Sequence, residues 1–350
     1  MEVNGKHFQT VWMENGIVKM INQPLLPHQF EIVSYSTCAD TANAITTMVV
    51  RGAGAIGATA GFAMAQAVRE ATLSADFRSK LLKMREIIIQ TRPTAQNLFY
   101  AVNRVFRAVE ELPPEKAILV ADQVAQEIAK EDALDGENIG KIGAELISDG
   151  MRIMTHCNAG WLGFVDWGSA LSPIYAASRQ GKKLFVWVDE TRPRLQGARL
   201  TSWELINEKI PHAIIADNAA GYFMQKGEVD MMIVGADRVA LNGDVANKIG
   251  TFEKALLANY FRIPFYVAIP PSTIDKDCPD GAAIPIEERS NDEVLYGYGI
   301  SDDGITGRIR LAPAQAAARN PAFDITPAAL ISGFITPTGI VTPDQIKDVI

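Results

Sequence analysis

Along the second half of the chain, short apolar runs alternate with stretches of helical spacing. The runs at 152–156, 183–189, 212–217, 230–237 and 265–270 have strand length, while 198–209 and 251–261 repeat apolar positions at helical intervals. Strands separated by helices argue a parallel sheet covered on both faces. From 39 to 147 the spacing is helical throughout and Ala, Glu, Lys, Leu and Gln are abundant, with a break at Leu112-Pro113-Pro114. Ahead of it, the apolar runs 10–13 and 17–20 flank Glu14-Asn15-Gly16, a strong hairpin cue. The change of pattern near 145 predicts two domains: 1–145, mainly helical and opened by a small β hairpin, and 146–350, α/β.

In an open α/β sheet, ligands bind outside the carboxyl ends of the strands. Thr155-His156-Cys157-Asn158-Ala159-Gly160 closes one expected strand and puts Cys157 at such an end; Gly235-Ala236-Asp237-Arg238 closes another and puts Asp237 there. A thiol and a carboxylate then face a common crevice. Two polar stretches, 189–197 and 242–250, leave the same sheet. A free cysteine is most often a buried structural thiol, but the neighbours of Cys157 are polar.

Composition narrows the classes. The 350 residues suffice for two domains, and 48% apolar content supplies a core. Net charge −8, from 33 basic and 41 acidic residues, opposes nucleic-acid binding. No run of 18 apolar residues is free of charge and the start lacks a signal-peptide pattern, so a cytoplasmic protein without membrane contact is expected. Cys38, Cys157 and Cys278 are too scattered for a disulfide framework or a metal pair, and the four histidines suggest no metal triad.

Gly52-Ala53-Gly54-Ala55-Ile56-Gly57 matches a dinucleotide fingerprint, yet the following helical stretch leaves no βαβ unit around it. Two readings remain. Arg51 and the backbone N–H groups of Gly52 and Ala53 form an anion cradle at a helix N-terminus, or Gly57 and Gly61 merely permit close helix packing. Arg92, beside Pro93 between two helices, is either a phosphate fork or a solvated loop arginine.

The segments THCNAG, DETRPRLQGARLTSWEL, IADNAAG, GADRVALNGDVANKIGT, PFYVAIPPSTID and NPAFDITPAALISGFITPTGIV resemble, in order, the motifs of the methylthioribose-1-phosphate isomerase family. That family also includes ribose-1,5-bisphosphate isomerases and the regulatory subunits of translation exchange factor 2B. The resemblance implies a Rossmann-like C-terminal domain and an aldose–ketose isomerase of methionine salvage. It implies Asp237 as the proton donor that opens the furanose, with its carboxyl kept protonated by a water-poor site. Cys157 would act as a thiolate base, its pKa lowered by Arg51 and Arg92, or as the stabiliser of a hydride shift. Gln196, Asn247 and Lys248 would hold sugar and phosphate beside Arg51, Gly52, Ala53 and Arg92, with no cofactor and no metal, in a homodimer. The alternatives are 5-deoxyribose 1-phosphate or ribose 1,5-bisphosphate as substrate, or a non-catalytic regulator; the site residues being all present favours an enzyme.

The chain departs from the family at Gly54, where Pro is usual, and at 161–169. There the usual small residues give way to Trp161-Leu162-Gly163-Phe164-Val165-Asp166-Trp167-Gly168-Ser169. Those aromatics are expected either to wall the sugar pocket, favouring an apolar 5-methylthio group over a second phosphate, or to pack between domains.

Overall fold

The computed structural model describes residues 1–92 and 95–349; Pro93, expected between two helices, lies outside them. The expected opening hairpin forms from Val11–Glu14 and Ile17–Ile21, paired Glu14 to Ile17 across a two-residue loop. Asn15 (φ 52°) and Gly16 (φ 79°) supply the two left-handed residues that such a turn requires. A third strand, Ile32–Tyr35, completes this small antiparallel sheet.

Five helices follow: α1 (Cys38–Thr46), α2 (Ala53–Ala71), α3 (Phe77–Ile89), α4 (Gln96–Val109) and α5 (Pro114–Gly143). Helix α2 is apolar nearly all round, a pattern that suits only a buried helix, and the other four pack about it. The pattern break at Leu112-Pro113-Pro114 falls between α4 and α5, with Pro114 in the first turn of α5 where its missing N–H costs nothing.

The strands of the second half form one seven-stranded sheet. Its order is Gly339–Val341, Gly333–Thr336, Phe265–Ala268, Met231–Val234, Met151–Thr155, Leu184–Asp189 and His212–Ile215. All neighbours are parallel except the edge strand Gly339–Val341, so the fold is Rossmann-like α/β as expected. Successive side chains alternate between two cores: Ile153 and Ile233 face one, Met154, Met232 and Val234 the other. Both faces being covered explains why these strands read as unbroken apolar runs.

The winding direction decides where a ligand can enter. From Met151–Thr155 the chain adds Leu184–Asp189 and His212–Ile215 on one side, then returns to lay Met231–Val234 against the other side. Loops leaving those two adjacent strands diverge to opposite faces, which opens a crevice at this switch point. Cys157 and Asp237 follow these two strands.

Several strands were not anticipated, among them Ile32–Tyr35, Gly333–Thr336 and Gly339–Val341. Arg238–Val239, Val245–Lys248 and Phe323–Thr326 form a separate antiparallel sheet that carries Asn247 and Lys248, and Tyr296–Ile300 pairs with Thr306–Arg310 in an exposed hairpin. Among the described residues, no helix is long and apolar enough to cross a membrane.

Candidate active site

Nine residues singled out from the sequence converge on one cavity: Arg51, Gly52, Ala53, Arg92, Cys157, Gln196, Asp237, Asn247 and Lys248. Four sources supply them: the start of α2 with the loop before α4, the exits of the two switch-point strands, the stretch after Leu184–Asp189, and the small antiparallel sheet. Sequence reasoning missed Arg194 and Arg289, which line the same cavity, as do Phe164 and Phe323. Arg194 lies in the polar stretch after Leu184–Asp189 and was legible there; nothing local marks Arg289.

The glycine motif makes a close turn and leaves the head of α2 open to the cavity. Gly52 has φ 91°, and a Cβ there would lie 2.3 Å from the Gly163 Cα, so the chain turns into α2 hard against the 157–163 turn. Helix α2 then begins at Ala53 with no side chain capping its N-terminus, which leaves donors and the positive dipole end facing the cavity. Among the described residues, helix rather than a βαβ unit follows this motif. A Cβ on Gly54 would meet Asp132 Oδ1 at 2.0 Å and the Phe164 ring at 2.4 Å. Gly54 and the altered 161–169 segment, the two departures from the family pattern, therefore touch.

Cys157 has φ 64°, and Thr191 and Leu195 in the facing loop have φ 63° and 61°. Left-handed non-glycine residues cost about 1–3 kcal/mol and persist where the surroundings fix them. Here Thr191 Oγ1 accepts from the Cys157 N–H at 2.8 Å, and the Thr201 hydroxyl donates to Cys157 O at 2.7 Å. The preceding residue, His156, is fully buried, with Nδ1 2.9 Å from Asp189 Oδ2 and Nε2 2.9 Å from Ile249 O. It thereby ties the exit carrying Cys157 to the strand end carrying Lys248. His156, Asp189 and Asp217 are close enough to hold a cation, yet the first two already bond one another and Asp217 accepts the backbone N–H groups of Thr191 and Arg192.

Electrostatics correct one expectation. Burial pushes the Cys157 thiol up, and the pull of Lys248 and Arg51 does not overcome it. Burial also lowers Lys248, to about 8. Six buried polar atoms lining the cavity lack a hydrogen-bond partner among the described residues: Arg51 Nε, Arg92 Nε, Asn97 Oδ1, Asn158 Oδ1, Ser169 Oγ and Gln196 Oε1. Buried polar atoms are normally paired, so this concentration marks a place for a polar, anionic ligand.

The model of the initiation factor 2 subunit family matches residues 49–343. A methylthioribose-1-phosphate isomerase of Cereibacter sphaeroides is 47% identical over 97% of this chain and 94% of that protein, and one of Roseiflexus sp. is 47% identical over 96% and 95%. The chain belongs to this family. Among solved structures, the 5-methylthioribose 1-phosphate isomerase of Pyrococcus horikoshii superposes with TM-score 0.85 at 43% identity, covering 98% of this chain and 95% of that one. A protein of A. fulgidus described as translation initiation factor eIF-2B subunit delta gives 0.80 at 37%, covering 97% of each.

Within the family frame, Phe164 is the one aromatic of the 161–169 segment that walls the pocket. Trp161 and Leu162 are fully buried in the core on one sheet face, where Trp161 stacks on Trp203, and Trp167 lies against Arg179. Asp166 binds the Met1 ammonium at 3.0 Å. Only Gly163, Phe164 and Ser169 of this stretch reach the cavity. Large rings next to a sheet bury more area in the core than at a polar rim, which explains the outcome.

Proposed function

We propose that this site isomerises 5-methylthioribose 1-phosphate to 5-methylthioribulose 1-phosphate, the aldose–ketose step of methionine salvage. The observation that carries this reading is the convergence of Cys157 and Asp237 on one cavity whose cations and unpaired donors and acceptors suit an anion bearing hydroxyl groups. The α2 N-terminus at Gly52 and Ala53, with Arg51 and Arg92, takes the phosphate; Gln196, Asn247 and Lys248 hold hydroxyls and the remaining phosphate oxygen. No group beyond these side chains is needed.

The 1-phosphate blocks the anomeric carbon, so the ring must open before isomerisation. Asp237 gives a proton to the ring oxygen as the C1–O bond breaks. Hydride then moves from C2 to C1, and the C2 hydroxyl returns its proton to Asp237 as the ketone forms. A buried thiol pushed up in pKa is a neutral S–H, which suits transition-state stabilisation of this shift better than proton abstraction by thiolate. A purely regulatory role gains nothing from the arrangement, since it requires neither group in the cavity. The direct test is incubation with the sugar phosphate and assay of ketose; no product at millimolar substrate refutes the reading.

A cytoplasmic homodimer goes with this reading. Three free cysteines agree with a reducing compartment, and the hairpin 296–310 exposes Tyr298, Ile300, Ile305 and Ile309 on its two faces, apolar side chains that a second copy would cover. Light scattering at micromolar concentration should give twice the 38.1 kDa chain mass; the single-chain mass refutes the dimer.

Cys157→Ser should lower kcat at least ~100-fold with an unchanged circular-dichroism spectrum, and near-normal turnover would return the thiol to a packing role. Asp237→Asn retains size and polarity but has no acid proton. Calorimetry should still detect substrate binding while turnover collapses; loss of fold instead would make Asp237 a structural charge.

Lys248 supplies a pH dependence. Its pKa is lowered to about 8, so the ammonium that attracts phosphate is present below that pH and lost above it. Accordingly kcat/KM, which reports the free enzyme, should fall as pH rises through about 8. Lys248→Arg, charged at every accessible pH, should abolish that descending limb; a limb unchanged in the variant would assign it to another group.

A further inference from the structure

Five cationic side chains line the cavity: Arg51, Arg92, Arg194, Lys248 and Arg289. One phosphate does not need five, and their partners divide them. Arg194 Nη1 donates to Glu293 Oε1 at 2.8 Å, Arg289 Nε donates to Glu287 Oε1 at 3.0 Å, and Arg92 Nη2 lies 3.7 Å from Glu287 Oε2. Arg51 and Lys248 donate only to neutral acceptors, the carbonyls of Asn158 and Ala322. Among the described residues, no carboxylate lies within ion-pair distance of either.

A single phosphate dianion is therefore met by the α2 N-terminus, by these two uncommitted cations and by Arg92, whose contact with its carboxylate is the longest of the three. A second phosphate must take an arginine away from a carboxylate and leave that carboxylate beside it, where the like charges repel and the displaced anion is left unpaired. Glu293 is placed to resist such an exchange. Its other oxygen accepts from Asn320 Nδ2 at 3.0 Å, and Asn320 is itself buried and anchored to Ser290 O at 2.9 Å. Although burial pushes it up, the hydrogen bond and charge of Arg194 hold the Glu293 carboxyl below its ordinary value, so it stays anionic at neutral pH.

We infer that Glu293 is a specificity-determining residue, which by engaging Arg194 denies a second phosphate its cation and selects for sugars with one phosphate. The inference rests on the isomerase reading and replaces the apolar wall expected at 161–167 as the source of selectivity.

The test compares kcat/KM for 5-methylthioribose 1-phosphate and ribose 1,5-bisphosphate in the wild type, Glu293→Gln, Glu293→Ala and the double variant Arg194→Met/Glu293→Gln. Either single variant should shift the ratio toward the bisphosphate by at least ~10-fold, the scale of modest pocket discrimination. The double variant should reverse the shift, because the released cation is gone. An unshifted ratio in both single variants, with wild-type turnover of the methylthio sugar intact, overturns the role of Glu293 while leaving the isomerase reading in place. Should neither single variant fold, competition in the wild type decides. There ribose 1,5-bisphosphate should inhibit at least ~10-fold more weakly than 5-deoxyribose 1-phosphate, and equal or tighter inhibition by the bisphosphate overturns the inference.

Discussion

A carboxylate with no access to solvent holds the turn on which the site is built. Glu204 accepts from Asn158 Nδ2 at 2.8 Å, from the backbone N–H groups of Trp161 and Leu162 at 2.9 and 3.0 Å, and from the Tyr175 hydroxyl. Burying an ion costs several kcal/mol unless its lone pairs are met, and here four donors meet them. Burial still pushes the Glu204 carboxyl above its ordinary value, against the pull of Tyr175, Asn158, Leu162 and Arg51. The turn must pass so close that a Cβ on Gly160 would lie 2.0 Å from Glu204 Oε2. From that turn Asn158 O accepts from Arg51 Nη2 at 2.8 Å. One buried charge thus links the cysteine turn, the 160s segment and the arginine at the head of α2.

That linkage lets the protein keep its cations gathered without a ligand. Arg51 and Arg92 are both pulled down by burial, as is Lys248, so each gives up hydration to stay in the cavity. Six orphaned polar atoms add to the cost. Local rules of satisfied burial are broken most densely here, the pattern expected where binding rather than folding sets the residues. Glu287 and Glu293 limit the excess to what one anion can balance.

What was legible in the sequence was local. Asn15-Gly16 fixed a hairpin because two consecutive left-handed residues admit few alternatives, and the helix Thr251–Phe261 has the bounds that its spacing predicts. The sheet strands were legible as apolar runs, and Cys157 and Asp237 as strand exits. The strand 230–237 proved shorter, Met231–Val234, because Gly235 must turn against Ala159, with a would-be Cβ only 2.5 Å from that side chain. The small sheet carrying Asn247 and Lys248 was hidden, since it pairs Lys248 with Phe323, far away in the chain. Arg289 and the pairing of Arg194 were hidden for the same reason. The fate of Trp161 and the direction of the Cys157 shift were balances between burial and polarity, which depend on surroundings that no motif records.

The same fold serves proteins with different descriptions, so overall likeness carries less weight than the state of the groups in the cavity. Burial already keeps Cys157 a thiol despite Lys248 and Arg51. A phosphate arriving against those two cations adds negative charge near the sulfur and screens the charges that favour thiolate. Both effects push the thiol further up, while the same dianion raises Lys248. Loading the substrate therefore moves the cysteine away from the ionised form that proton abstraction requires. A route in which hydrogen passes between C2 and C1 as hydride, with the thiol as a soft, neutral wall, needs no charge at sulfur and becomes easier to sustain as the site fills.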